Sequence, residues 1–291
     1  MATETPAKPP YRQFRPDPRL RPYLLCFWAI HAPCPACGPR RIRVLPDGCL
    51  DVIFNFGDAM TPLGVPASQP GTFIVGASMR PGVVEMHGRA DITGIRLRPG
   101  GAVPLLGLPC AELTENTGPT ELLGPGLAER LRLHAGSEPD PARRVEIMER
   151  LLLELLSRLP AIDPLSRRAL ELLGSNCSPP MPVAADADAN KHTVATLAAT
   201  LGVSRRSLER LFARQVGVGP AALHRTMRLH RALRLLRRNT APLAETALIA
   251  GYCDQAHFNR EIKTLTGLAP LALLHEWRDD AIVQYEAPDF W

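Results

Sequence analysis

Two copies of one pattern, about 50 residues apart, occupy residues 193–276 and restrict that region to a fold built from two similar helical units. Gly202 aligns with Gly251. After a one-residue insertion in the second copy, Leu208 aligns with Phe258, Arg210 with Arg260, Phe212 with Ile262, Gly217 with Gly267 and Pro220 with Pro270. Each copy reads as helix, tight turn, helix. In the first, Val194 to Leu201 places Val194, Leu197, Ala198 and Leu201 on one face. Gly202 then supplies the positive φ of a tight turn, and Ser204 is placed to cap a second helix over Arg205 to Gln215. In the second, Leu243 to Ala250 is the first helix, Gly251-Tyr252-Cys253 turns the chain, and Asp254 or Cys253 starts a helix reaching Thr264. Between the copies, Pro220 to Arg238 is one helix with Pro in its first turn and an inward stripe of Ala222, Thr226, Leu229, Leu233 and Leu236.

Once Leu208, Leu211 and Phe212 face inward, Arg205, Arg206, Glu209 and Arg210 are left outside, with Arg214 at the edge of that face. In the second copy the outward set is Gln255, Ala256, His257, Asn259, Arg260 and Lys263. Gln and Asn pair bidentately with adenine, and Arg with guanine, along the major groove. The intervening helix is about 28 Å long at 1.5 Å per residue. With the packed units at its ends, that separates two reading helices by about one duplex turn, roughly 34 Å. Charge agrees with this reading. Residues 1–189 hold 20 basic and 20 acidic residues, whereas Val194 to Arg278 holds 13 basic against 5 acidic. A basic segment joined to a neutral one is the footprint of a nucleic-acid-binding domain. Arg225, Arg228, Arg231, Arg234, Arg237 and Arg238 on the intervening helix read as phosphate clamps or ion-pair partners.

Ala247, Gly251, Tyr252, Asp254, Gln255, Phe258 and Arg260, followed by Thr266, Gly267 and Pro270, form a spaced pattern that resembles the AraC/XylS family of transcription regulators over about 85 residues. The resemblance implies a double helix-turn-helix domain on double-stranded DNA. It implies base reading from Arg206, Glu209 and Arg210 in the first unit, and from Gln255, Asn259 and Arg260 in the second. A buried or backbone-bracing role is the other reading of Arg210 and Arg260. Ile262, Ala269 and Leu273-Leu274 depart from the family pattern and bear on local packing.

Upstream, Gly174 to Asn190 is rich in Pro, Ala, Asp and Ser without a period and reads as a linker. Before it, Arg41 to Leu45, Leu50 to Phe56, Thr72 to Val75, Val83 to His87 and Ile92 to Leu97 are short β-prone runs, separated by turns at Pro46-Asp47-Gly48 and Arg98 to Gly101. They predict a small antiparallel sheet or barrel. Helical periodicity follows, clearest from Arg143 to Leu159. The fold class expected is α+β. A sensory or dimerisation domain spans 1–175, β-rich over 20–100 and helical over 101–174. A linker over 176–191, the DNA-binding domain over 192–278 and an acidic tail over 279–291 complete it. Pro46, Asp47, Gly48, Cys49 and Asp51, with the Arg98 to Gly101 turn, resemble the partner domain of one AraC subgroup. Asp47-Gly48 reads as a hairpin turn or a ligand contact.

Seven cysteines occur, at 26, 34, 37, 49, 110, 177 and 253. The chain lacks a signal-peptide core and a membrane-length apolar run, which predicts a cytoplasmic protein in which disulfides do not form. Cys34, Cys37 and Cys49 are candidates for a metal or redox site, the alternative being a loop with incidental thiols. The sequence contains no nucleophilic triad, phosphate-binding glycine loop or His-Glu-x-x-His run, so the expectation is a regulator rather than an enzyme, with no cofactor. The rival is a DNA-binding domain fused to a metal-thiolate alkyl-transfer domain. A small-molecule effector, RNA polymerase and a second copy of the chain are the further candidate partners.

Overall fold

The computed structural model describes residues 11–32, 40–61, 71–118, 120–123, 126–175, 188–238 and 241–278. In chain order the strands are β1 (Tyr11–Phe14), β2 (Leu24–Ala32), β3 (Arg40–Val44), β4 (Leu50–Asn55), β5 (Met60–Thr61), β6 (Gly71–Val75), β7 (Gly82–Met86), β8 (Ala90–Leu97) and β9 (Thr117–Gly118). The helices are α1 (Val103–Leu106), α2 (Leu127–Gly136), α3 (Pro141–Leu155), α4 (Pro164–Ser175), α5 (Asp188–Thr200), α6 (Arg205–Gln215), α7 (Pro220–Arg238), α8 (Leu243–Ile249), α9 (Gln255–Thr266) and α10 (Pro270–Arg278).

The strands form two antiparallel sheets, one in the order β1-β2-β8-β4-β6-β9 and the other β3-β7-β5. Strand alternation gives the larger sheet two apolar faces. Trp28, Ile30, Ile53 and Ile92 pack toward Ile42, Met60 and Met86 of the smaller sheet. Phe27, Val52, Phe54, Ile95 and Leu97 point the other way, into a core shared with the helices. The five predicted strands are present, and β1, β2, β5 and β9 join them. β2 was missed because it is covered on both sides. In Leu-Leu-Cys-Phe-Trp-Ala-Ile-His-Ala only His31 is exposed, so no polar alternation marks it as a strand.

Two arginines fasten this layer. Arg96 on β8 pairs with Asp47 at 3.1 Å and Asp51 at 2.8 Å, while Trp28 Nε1 donates to Asp51 at 2.8 Å. Burial opposes the Arg96 charge, but the two carboxylates outweigh it and hold the guanidinium well above its ordinary pKa. Arg144 on α3, 1% exposed, donates to Asp91 at 2.7 Å, to Thr93 Oγ1 at 3.1 Å and to the Glu138 carbonyl at 2.8 Å, and lies over the Phe56 ring. It pins α3 to the sheet. The helix predicted over Arg143 to Leu159 starts at Pro141, capped by Asp140, and tightens into a 3₁₀ turn at Leu156–Arg158.

Helix α7 has the predicted bounds but not the predicted single stripe. Besides Thr226, Leu229, Leu233 and Leu236, it buries Leu223, His224, Met227, Arg228, His230 and Ala232. The additional cover comes from residues far away in sequence. A Cβ at Gly48 would lie 2.6 Å from Leu223 Cδ1, so the Asp47-Gly48 turn presses on the helix. His230 Nε2–H donates to the Pro46 carbonyl at 2.7 Å, and Thr226 Oγ1 approaches Met79 Sδ at 3.9 Å. Nearby, Thr114 Oγ1 donates to the Gly217 carbonyl at 2.6 Å, and Arg43 holds Glu276 of α10 at 2.7 Å. One apolar core therefore runs from Leu50 and Leu97 through Leu131 and Met148 to Leu197, Leu208, Phe212 and Leu223. Of the stretch expected as linker, α5 takes residues from Asp188 onward; 176–187 and the tail 279–291 lie outside the described residues.

Burial holds His224 and His230 down at about 4. Arg228 adds to the effect at His224, and Arg234 and Arg96 at His230, against the lift from the Pro46 carbonyl. An unfolded histidine titrates near 6.5, so between these values the unfolded chain binds more protons than the folded one. The stability these neutral histidines contribute is complete above about pH 6.5 and is lost as pH falls toward 4. Thermal unfolding across that window should show a falling midpoint, and His230→Gln should make the fall shallower; equal slopes would remove His230 from the account.

Candidate nucleic-acid interface

At the turn between their helices the two units share the same backbone hydrogen bonds. Gly202 (φ +66°) donates to the Ala199 carbonyl and Val203 to Ala198; Gly251 (φ +88°) donates to Leu248 and Tyr252 to Ala247. These glycines end the first helix of each unit in the left-handed region. Ser204 then accepts from the Ser207 N–H at 3.1 Å, and Asp254 from the His257 N–H at 2.6 Å. Each thereby caps its second helix, and Asp254 rather than Cys253 fills that position.

Inside, α6 buries Leu208 and Phe212 in the main core, while α9 buries Phe258, Ile262 and Leu265 against Leu229, Leu233 and Leu236 of α7. Ile262 and Leu273, two departures from the family pattern, are fully buried and fill this second core. Outside, Arg205, Arg206, Glu209 and Arg210 are exposed on α6, and Arg205 pairs with Glu209 one turn along at 2.9 Å. An exposed pair of that kind contributes less than about 1 kcal/mol, so either side chain is free to move to a ligand. On α9, Gln255, Arg260 and Lys263 are exposed, and His257 and Asn259 are half-buried. Arg210 and Arg260 thus stand in solvent.

His257 meets the Tyr252 ring edge-on at 5.5 Å, and burial, with Arg228 next, lowers its pKa. Near neutrality it is an uncharged group. The Oδ1 of Asn259 is buried and has no hydrogen-bond partner among the described residues.

Glu261, which the sequence reading did not single out, sets the angle of α9 on α7. Its carboxylate accepts from Arg225 at 2.8 Å and from Arg228 at 2.9 Å, and the Arg228 guanidinium lies 5.0 Å above the Tyr252 ring. Of the six arginines on α7, these two are therefore ion-pair partners; Arg234, Arg237 and Arg238 are exposed. An acidic residue between outward Arg260 and inward Ile262 was the available signal, and it becomes meaningful only beside the inward-turned Arg228. The first portion of the chain touches this region at the far end of α9, where Arg43 reaches the Thr266 carbonyl and Glu276.

The candidate thiols are placed differently. Cys49 is buried, its Sγ–H directed at the Asp47 carbonyl at 3.7 Å, and burial raises its pKa well above the ordinary value. Cys26 is raised by burial likewise, and Cys110 is pushed up to about 12. Such thiols resist forming the thiolate that metal binding or alkyl transfer uses. Cys34 and Cys37 lie outside the described residues, among which no cluster of three His, Cys, Asp or Glu side chains could hold a metal.

Two family models match the chain, a helix-turn-helix domain over residues 197–276 and a domain of unknown function (DUF6597) over residues 12–119. Among curated proteins, a probable bifunctional transcriptional activator/DNA repair enzyme AlkA of Mycobacterium tuberculosis is 36% identical over 93 residues, 32% of this chain and 19% of that protein. The HTH-type transcriptional regulator GbdR of Pseudomonas aeruginosa is 34% identical over 74 residues, 25% of this chain and 20% of that protein. The matches thus span about a fifth of the length of these relatives. A crystal structure of apo ToxT from Vibrio cholerae is similar over 86% of this chain and 97% of its own, at 10% identity and a TM-score of 0.46.

Glu261→Gln should leave the buried Arg228 without a counter-charge and cost about 3–5 kcal/mol in chemical denaturation. Glu209→Gln, at an exposed pair, should cost under about 0.5 kcal/mol. Equal small losses would show that Glu261 does not hold the second unit.

Proposed function

Because this chain belongs to the AraC family of helix-turn-helix regulators, we propose that it controls transcription in the cytoplasm by placing α6 and α9 in successive major grooves of one DNA site. The observation that supports this most is the shared spine. Both second helices are capped alike, turned alike and fixed to α7, one through the main core and the other through Glu261. A rigid spacing of two reading helices selects a rigid spacing of two half-sites. Base reading falls to Arg206, Glu209 and Arg210 on α6, and to Gln255, Asn259 and Arg260 on α9. Arg205, His257 and Lys263 lie beside them for phosphate or further base contacts. Residues 1–175 are the sensing or dimerising part and are joined to the reading helices by the contacts on α7. No reaction is part of this reading.

Selection from random duplexes followed by affinity measurement tests it. Arg206→Ala or Gln255→Ala should relax preference at a few base pairs, at about 1–3 kcal/mol each. Equal loss on selected and random DNA would refute base reading by these residues. Arg238→Ala should lower the salt slope of binding by about 0.9 without changing preference. An unchanged slope would place Arg238 off the backbone.

A further inference from the structure

A cavity of about 410 Å³ lies between the loop before β2, the turn after β8 and helix α4. Pro18, Pro22, Pro99, Ile162 and Leu170 give it apolar walls, and Arg21, Arg98 and Arg167 stand around them. The state of those three guanidiniums is informative. Arg21 Nε donates to the Pro16 carbonyl at 3.0 Å, and Arg98 Nε to the Arg21 carbonyl at 3.1 Å. Each fork is thereby oriented, and neither guanidinium forms a salt bridge among the described residues; the nearest carboxylate to act on Arg21, that of Asp17, is taken up by Arg19 at 2.9 Å. The Arg167 side chain likewise has no partner among them. Glu171, the acidic residue of the lining, is turned to Arg168 at 3.4 Å.

Proteins ordinarily pair arginines that sit against apolar surface, because low dielectric strengthens any repulsion left uncompensated. Three arginines without a salt bridge among the described residues, lining an apolar cavity of ligand size, are complementary to an anion with an apolar body. We propose that this cavity binds a small organic acid, its carboxylate held by Arg98 with Arg21 and Arg167, and its hydrocarbon part on the proline and leucine walls.

Occupancy is reported by α4. The turn touches this helix at Gly100, where a Cβ would lie 2.6 Å from Leu170 Cδ1 and 3.3 Å from Ser166 Oγ. The other side of α4 buries Ala169 and Leu173 in the core with Val194, Leu197 and Phe212, and the helix touches α5, α6 and α7. A molecule wedged between turn and helix therefore displaces the element on which the first reading unit rests. This second step rests on the regulator reading above.

The test uses the full chain with octanoate and 4-phenylbutyrate as probes, and octan-1-ol and octylammonium as controls, read by equilibrium dialysis and by DNA affinity with and without probe. At least one acid should bind saturably at one site while both controls bind at least tenfold more weakly. Arg98→Ala and Arg167→Ala should each weaken the acid roughly tenfold, and Arg168→Ala should not. Equal binding of acid and alcohol, unaltered binding by both variants, or binding of neither acid would overturn the site, even where DNA binding persists. Acid binding without any change in DNA affinity would overturn the α4 relay. A chain that binds the acid but no DNA would refute the regulator reading and leave the site standing.

Discussion

The burial of α7 on nearly its whole circumference is the constraint on which the rest of the structure depends. Leu223 and Met227 belong to the core that continues into the β-sheets, and Leu229, Leu233 and Leu236 to the core of the second unit. A helix apolar on two sides has no solvent face broad enough to slide on, and close packing makes its position discrete rather than graded. Polar residues supply direction where leucines supply only area. His230 points at Pro46 and Arg228 at Glu261, from opposite sides of one turn of the same helix. The Asp47 carboxylate accepts the Cys49 N–H at 2.9 Å and pairs with Arg96, so the turn that presses on α7 is itself anchored in the sheet.

What the sequence disclosed was local. Glycine turns, N-caps and apolar spacing within each unit can be read because their causes lie within a few residues, and Gly202, Gly251, Ser204 and Asp254 take up their expected geometry. What it concealed was tertiary. β2 has no polar alternation because a second sheet covers one face and helices the other. The outer half of α7 is covered by Gly48, Pro46 and Met79, from more than a hundred residues upstream, and a periodicity argument has no access to such partners. Glu261 was passed over for the same reason, its two arginines lying on another helix. The single stripe expected for α7 did not include Arg228, which is buried with its guanidinium over the Tyr252 ring.

These corrections alter the electrostatic account. The basic excess of the DNA-binding segment is not all available to phosphate, since Glu261 consumes two arginines and Arg205 shares Glu209. Each second helix exposes two further cations, Arg206 and Arg210 on α6 and Arg260 and Lys263 on α9, and α9 adds Gln255, a neutral His257 and Asn259.

Helix α7 joins the sheets and both helix-turn-helix units into one cooperative body. Hydrogen exchange followed by mass spectrometry across a denaturant series tests it most directly, by giving the opening free energy of each segment. Amides of α7 from Leu223 to Leu236 should open together with those of β4 and β8, at one free energy. If α7 and α9 instead exchanged at a much lower free energy while β4 and β8 stayed protected, the spine would belong to the second half alone and the two halves would not be one cooperative body.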